Sequence, residues 1–295
     1  MKEIDTRFVS AKNDFLFGKI FGDEQRTRPL CSLTSAVLNE DIWHLELLNP
    51  HIPRITFTKK GVVLDIRAII NEGRYVNIEM QVKRQSFFTK RTQFLSSRLH
   101  SSQLDIGKNY DELQESIAIN FLCKSNHNLP KESWFHSYRL RHDRLHVPIP
   151  SGITRIIFIE LEKVAKLGTI DESNQLMEWI LFMNAKTVEE MSSIAVRNPD
   201  IMEAFKIVKE VMSNPDQWRL YEAQQDYIRV QETEEALAEK RTVEAREEGE
   251  KKGIEIGEKR GEKNGVIKTA KAMLAAGVDI ETVCKATGLR PEDLT

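Results

Sequence analysis

Residues 62–82 read VVLDIRAIINEGRYVNIEMQV, two apolar runs joined by a short polar loop that ends at Gly73. A three-residue hairpin loop usually combines a type I turn with a left-handed third residue, and Gly73 stands at that position. If Ile70 then pairs with Arg74, one face of the hairpin is apolar along its whole length, because side chains alternate between faces. The turn and the apolar pattern therefore predict the same antiparallel hairpin.

In this register Asp65 falls opposite Glu79 on the polar face, and Gln81 projects from the same face. Two opposed carboxylates repel each other and destabilise a sheet, so a cation between them is expected. Their oxygens suit Mg²⁺, with Mn²⁺ as an alternative. A bound metal would polarise a phosphoryl oxygen and activate water, which the Gln81 amide would orient. The alternative is that both carboxylates are solvent-facing positions of a half-exposed sheet.

The charge around this hairpin differs from that of the whole chain. The 295 residues carry a formal net charge of -2, whereas residues 54–111 contain 11 Lys and Arg against 5 Asp and Glu. A basic surround favours encounter with a phosphodiester backbone, although charge clusters are often only solvated surface. The candidate phosphate contacts that follow the hairpin are Lys83, Arg84, Lys90 and Arg91.

The remaining patterns predict strands clustered between helices, which indicates an α/β (α+β) domain around a mixed sheet. Asn13 or Asp14 is expected to cap a helix that ends before Gly22. Further helices are predicted over 28–39, 87–107, 171–183 and 199–212. Strands are predicted over 54–58, 62–70, 75–82, 116–123, 133–140 and 155–161.

Composition and residue spacing argue against a membrane-spanning protein, a secreted protein and several enzyme classes. No apolar run approaches the roughly 18 residues of a membrane-spanning helix, and the N-terminus lacks the apolar region of a secretory signal. The three cysteines form no CxxC pair, which predicts a reducing, cytoplasmic setting. The seven histidines show no HExxH or HNH spacing, and no hydroxyl sits in a nucleophile elbow.

Composition changes near residue 230, which predicts domains at 1–230, 231–265 and 266–295. Glycine recurs every fourth residue from Gly249 to Gly265, although each helical glycine costs about 1 kcal/mol relative to alanine. Two interpretations remain open: a helix that self-associates along its glycine stripe, or a flexible charged linker. Residues 266–295 resemble the first half of a helix-turn-helix, and we interpret them as a small helical, partner-docking appendage.

Several separate stretches of residues 10–185 resemble one nuclease family. The hairpin carries the pattern D-x13-E-x-Q, from Asp65 to Gln81, after one or two leading helices. It is accompanied by KNDF at 12–15, by an arginine run from Arg91 to Leu99, and by IELEK at 159–163. These stretches resemble the PD-(D/E)XK nuclease superfamily, and more closely the recombination-promoting nuclease (Rpn)/putative transposase family.

The resemblance implies a restriction-endonuclease-like core and a metal-dependent DNA endonuclease acting in bacterial recombination or transposition. Asp65 and Glu79 would be its metal ligands, with Asp14 as an outer acidic contact. Gln81 would occupy the place of the usual catalytic lysine, and Arg91 would contact DNA. Because a glutamine carries no positive charge, a catalytically weak module that binds DNA or protein remains the alternative.

Overall fold

The computed structural model describes residues 7–52, 62–63, 65–83, 87–104, 107, 109–126, 128–149, 153–167 and 174–294. The strand predicted over 54–58 lies outside these residues. Within them, contacts divide the chain between Ile228 and Arg229 into two compact units. No helix of the described part is both long and apolar enough to span a bilayer.

Two helices open the first unit. Helix α1 spans Asp14–Phe21 and begins where predicted, because the Asn13 side chain accepts hydrogen bonds from two backbone N–H groups of the first turn. It ends at Gly22, where an added Cβ would stand 2.7 Å from the Gly18 carbonyl oxygen. Helix α2 spans Arg28–Leu38 and ends at Asn39, which adopts the left-handed conformation that helix C-termini favour.

A six-stranded mixed sheet forms the centre of this unit, in the order β1-β4-β5-β6-β8-β7. Strands β5, β6 and β8 run parallel, and the other pairs are antiparallel. A separate two-stranded sheet pairs β2 with β3. The strands are β1 Leu45–Leu48, β2 His51–Ile52, β3 Val62–Val63, β4 Ile66–Ile70, β5 Arg74–Gln81, β6 Ser116–Leu122, β7 Phe135–Arg139 and β8 Thr154–Glu160. The α/β prediction with a mixed sheet is confirmed.

The hairpin between β4 and β5 has the predicted register. Ile70 pairs with Arg74 and Ile66 with Ile78. Gly73 adopts φ +92°, the left-handed conformation that the loop requires, and its N–H donates to the Ile70 carbonyl. The apolar residues of this hairpin are consequently buried on one face of the sheet.

Helices cover both faces of the sheet. The helices after the hairpin are α3 Phe88–Ser101, α4 Leu161–Ala165, α5 Gln175–Asn184, α6 Val188–Ala195 and α7 Pro199–Ser213. The larger core packs one face against α1, α2, α5 and α7 around the fully buried Trp179. A smaller cluster packs Phe88 of α3 against Leu122 and Phe158 on the other face.

The domain boundary predicted at residue 230 falls within a continuous helix. Helix α8 spans Pro215–Ala275 and so includes the glycine repeat, and α9 spans Ile280–Thr287. Within the second unit, Ala270 of α8 packs against Val283 of α9 and Leu294, forming a small helical core. Of the described helices and strands, β1, β2, α4, α6 and the first four turns of α8 were not predicted from the sequence.

Candidate active site

The two predicted carboxylates come together where the hairpin strands meet. Asp65 immediately precedes β4, and Glu79 lies near the end of β5. Since the two strands are antiparallel, the start of β4 adjoins the end of β5. The Asp65 N–H donates to Glu79 Oε1 at 3.3 Å, and the Met80 N–H donates to Asp65 Oδ2 at 2.9 Å. Each acid is therefore anchored through the backbone of the other's strand.

Both carboxyl groups of this pair have raised pKa values, which a bound cation would lower. Burial, and then the charge of Asp65, raise the pKa of Glu79 to about 7, against an additional hydrogen bond from Asn77. Desolvation also raises the pKa of Asp65, even though this residue borders solvent. Both carboxylates thus hold protons more readily than ordinary acids.

Arg91 of α3 links the acidic pair to Gln81. Its Nη1 donates to Gln81 Oε1 at 3.1 Å, and its Nη2 lies 3.6 Å from Glu79 Oε2. The other end of the Gln81 amide donates to the Lys83 carbonyl at 2.9 Å. Gln81 is consequently held at both ends, and the positive charge beside it comes from α3.

A third carboxylate borders the same cleft. Asp14, in the first turn of α1, has its pKa raised first by desolvation and next by the charge of Asp65. Its Oδ2 accepts a hydrogen bond from Gln224 Nε2 of α8 at 3.2 Å. The accessory position predicted for Asp14 therefore lies next to the acidic pair.

The cleft has a volume of about 260 Å³ and is lined by parts of α1, β5, α3 and α8. Arg91 and Lys83 line it, whereas Lys90 is exposed near the Phe87 ring and does not. Arg84 lies outside the described residues. A larger hollow of about 520 Å³ beside α6 and α7 has a single described carboxylate, that of Glu189, and so lacks paired acids.

Helix α8 supplies cleft residues that were not predicted from the sequence. Gln224, Tyr227 and Ile228 line the cleft, although they follow the hairpin by more than 140 residues. Trp218, Tyr221, Gln225 and Ile228 recur at helical spacing, a pattern that indicates an amphipathic helix. That pattern was available in the sequence, but it does not say which surface the helix covers.

Among the described residues, no group of three or more His, Cys, Asp or Glu side chains is arranged to hold a metal ion. The acidic pair by itself still suits a hard cation, because Mg²⁺ keeps several waters and is commonly held by one or two carboxylates. At Glu79, burial and the charge of Asp65 raise the pKa by more than the nearby charge of Arg91 lowers it.

Comparison with known proteins gives two matches that together cover most of the chain. A family model described as PD-(D/E)XK nuclease family transposase matches residues 11–236. A second, described as Rpn/YhgA-like nuclease family, C-terminal HTH domain, matches residues 263–295. No curated protein and no solved structure matched. The second match assigns a helix-turn-helix domain to the tail that we interpreted as a small appendage.

Proposed function

The chain belongs to the PD-(D/E)XK nuclease family transposases, and from this we propose that it is a metal-dependent DNA endonuclease. The observation that supports the proposal most directly is the acidic pair: Asp65 and Glu79 adjoin in a cleft, and their pKa values are raised. The reaction would be hydrolysis of a phosphodiester bond in recombination or transposition, in a cytoplasmic setting.

The donor set fits Mg²⁺ or Mn²⁺, because it consists of carboxylate oxygens without soft sulfur or imidazole ligands. Asp65 and Glu79 would hold the ion, with Asp14 as an outer acidic contact. When bound, the metal would polarise the phosphoryl group and lower the pKa of a coordinated water. The same ion would offset the repulsion between the two carboxylates.

The other groups of the cleft would position the substrate. Arg91 contacts both Gln81 and Glu79, so its guanidinium brings a fixed positive charge to the place where a phosphate would bind. Gln81, held at both ends, would orient water through its amide dipole. Lys83 lines the cleft, and Lys90 is a proposed phosphate contact beyond it. Arg84, which lies outside the described residues, is also proposed as a phosphate contact.

DNA is the proposed partner of both units. A helix-turn-helix domain places one helix in the major groove and commonly fixes a protein on its target. The tail would therefore bind DNA while the first unit cuts it. The domain limits of 1–230, 231–265 and 266–295 remain part of this proposal.

A catalytically weak binding module is the second candidate, favoured by one observation. Both ends of the Gln81 amide are engaged, by Arg91 and by the Lys83 carbonyl. Gln81 is thus less available to a water molecule than a free side chain would be. Such a protein would bind DNA without cutting it.

Metal removal separates the two candidates. With supercoiled plasmid, the full chain is expected to nick DNA in Mg²⁺ or Mn²⁺ and to lose at least about 100-fold of this activity in EDTA, because the metal supplies several kcal/mol of transition-state stabilisation. Excess Mg²⁺ should restore it. Equal nicking with and without EDTA would contradict the metal-dependent proposal, and binding without any nicking would favour the binding module.

Self-association through residues 231–265 is a further part of the proposal. The five glycines from Gly249 to Gly265 lie in α8, and apart from the adjoining helix backbone no described atom comes within 4 Å of a Cβ built on any of them. Exposed ion pairs such as Glu248–Lys252 support the helix, but nothing in it requires glycine. Packing of a second α8 along the glycines would explain why they occur there, although each lowers helix stability by about 1 kcal/mol relative to alanine.

Sedimentation of the full chain and of a chain ending at Val230 measures this association. The full chain is expected to sediment as a dimer or larger species, and the shortened chain as a monomer. The same five glycines replaced by alanine in the full chain should weaken association without shortening the helix. An unchanged oligomeric state in both variants would rule the interface out.

A further inference from the structure

An exposed aromatic ring borders the cleft of the acidic pair. Tyr227 of α8 lines this cleft together with Asp65 and Glu79, yet 57% of its surface remains open to solvent. Exposed aromatic rings are common on protein surfaces, but this one lines the cleft that holds the acidic pair.

The helix that carries Tyr227 is fixed against the site. Tyr221, one turn and a half earlier, is 2% exposed, and its hydroxyl accepts hydrogen bonds from the Ser10 N–H and from Gln225. The Asn13 side chain donates to the Tyr221 carbonyl, and Gln224 donates to Asp14. These contacts hold the start of α8 on α1, so the Tyr227 ring has a defined position beside the cleft.

The Lys83 side chain lies close to the Tyr227 ring. The Lys83 ammonium lies 4.9 Å from the Tyr227 ring centroid, and Lys83 also lines the cleft. Proteins bind single-stranded nucleic acid by combining aromatic rings with positive charge. Because the Lys83 ammonium lies over the ring, a base would stack on the opposite face of Tyr227, with the ammonium available to a phosphate.

We propose that Tyr227 and Lys83 form a subsite for an unpaired nucleobase next to the bond that is cut. The inference rests on the proposed nuclease function and names its substrate as single-stranded or locally unpaired DNA. In a duplex the base faces are covered by their stacked neighbours, so only an unstacked base offers a face to Tyr227.

Binding of fluorescent oligonucleotides in EDTA tests the subsite without any cleavage. For the full chain, Tyr227→Ala is expected to weaken binding of a single-stranded oligonucleotide by about 5- to 150-fold, the effect of losing one base–aromatic stack. Tyr227→Phe should keep wild-type affinity, because the ring rather than the hydroxyl stacks. Binding of the matching blunt duplex should change less than twofold in both variants.

Tyr110→Ala is the matched control, because Tyr110 is 83% exposed but does not line the cleft. It should leave both affinities unchanged.

An oligonucleotide carrying 2-aminopurine should lose fluorescence on binding wild type and Tyr227→Phe, but not Tyr227→Ala, since stacking quenches this base. Equal affinity of Tyr227→Ala and wild type for single strands would overturn the subsite. Absence of metal-dependent nicking by the wild-type protein would instead overturn the nuclease function. Failure of the subsite and failure of the nuclease function are therefore distinguishable.

Discussion

Glu79→Gln is expected to lower the rate of Mg²⁺-dependent plasmid nicking by about 10³-fold. The substitution removes one of two proposed metal ligands, and a bound metal contributes several kcal/mol to phosphoryl-transfer transition states. Glutamine has nearly the same shape, and its Oε1 can still accept from the Asp65 N–H and from Asn77. The fold of the hairpin should therefore survive, and Asp65→Asn should behave in the same way.

Glu72→Gln supplies the matched control, because Glu72 lies in the exposed turn of the same hairpin. It makes the same chemical change away from the cleft and should nick at the wild-type rate. Circular dichroism of all variants checks that they remain folded. Wild-type nicking by both Glu79→Gln and Asp65→Asn would show that the acidic pair is not the metal site.

The hairpin was predictable because two independent local signals fix it. Gly73 sets the loop, the apolar alternation sets the register, and the resulting pairs Ile66–Ile78 and Ile70–Arg74 are those of the structure. The contact between Asp65 and Glu79 follows directly, because antiparallel partners are neighbours by geometry. Asn13 and Gly22 likewise mark α1 through local capping chemistry.

The far wall of the cleft was not predictable in this way. Its residues, Gln224 and Tyr227, approach Asp14 only through the packing of α8 on α1, which no local pattern encodes. The composition change near residue 230 lies in the middle of a continuous helix, so it did not predict where α8 begins. Residues on both sides of this position favour a helix. The apolar face of the helix ends there, but the helix-forming residues continue.

Arg91 was predictable only in part. The resemblance to the family singled it out as a DNA contact, but the sequence did not show its hydrogen bond to Gln81 or its approach to Glu79. Those contacts depend on where the first turn of α3 lies against β5. They give the site a positive charge that Gln81 itself lacks.

The metal-free protein is expected to lose stability as the pH rises from about 4.5 to 7. The pKa of Glu79 is about 7 in the folded state, against a reference value of 4.5, because burial and Asp65 disfavour its charge. The folded state therefore binds more protons than the unfolded state across this window, so stability is greatest at its acidic end. The loss from Glu79 is on the order of 3 kcal/mol, at about 1.4 kcal/mol per pKa unit. Raised pKa values of Asp65 and Asp14 act in the same direction.

Urea unfolding in EDTA at pH 5.5 and pH 8.0 measures this change. Wild type should be less stable at pH 8.0, and Glu79→Gln should show a smaller difference because its amide does not titrate. Glu162, whose pKa is lowered to about 2 by hydrogen bonds from Ser125 and Lys166, loses its stabilisation only below about pH 4.5 and so lies outside the window. Mg²⁺ added at pH 8.0 should restore stability to wild type but not to Glu79→Gln, because the ion binds the folded carboxylates. A pH difference that is the same in both proteins would show that Glu79 does not carry the buried charge.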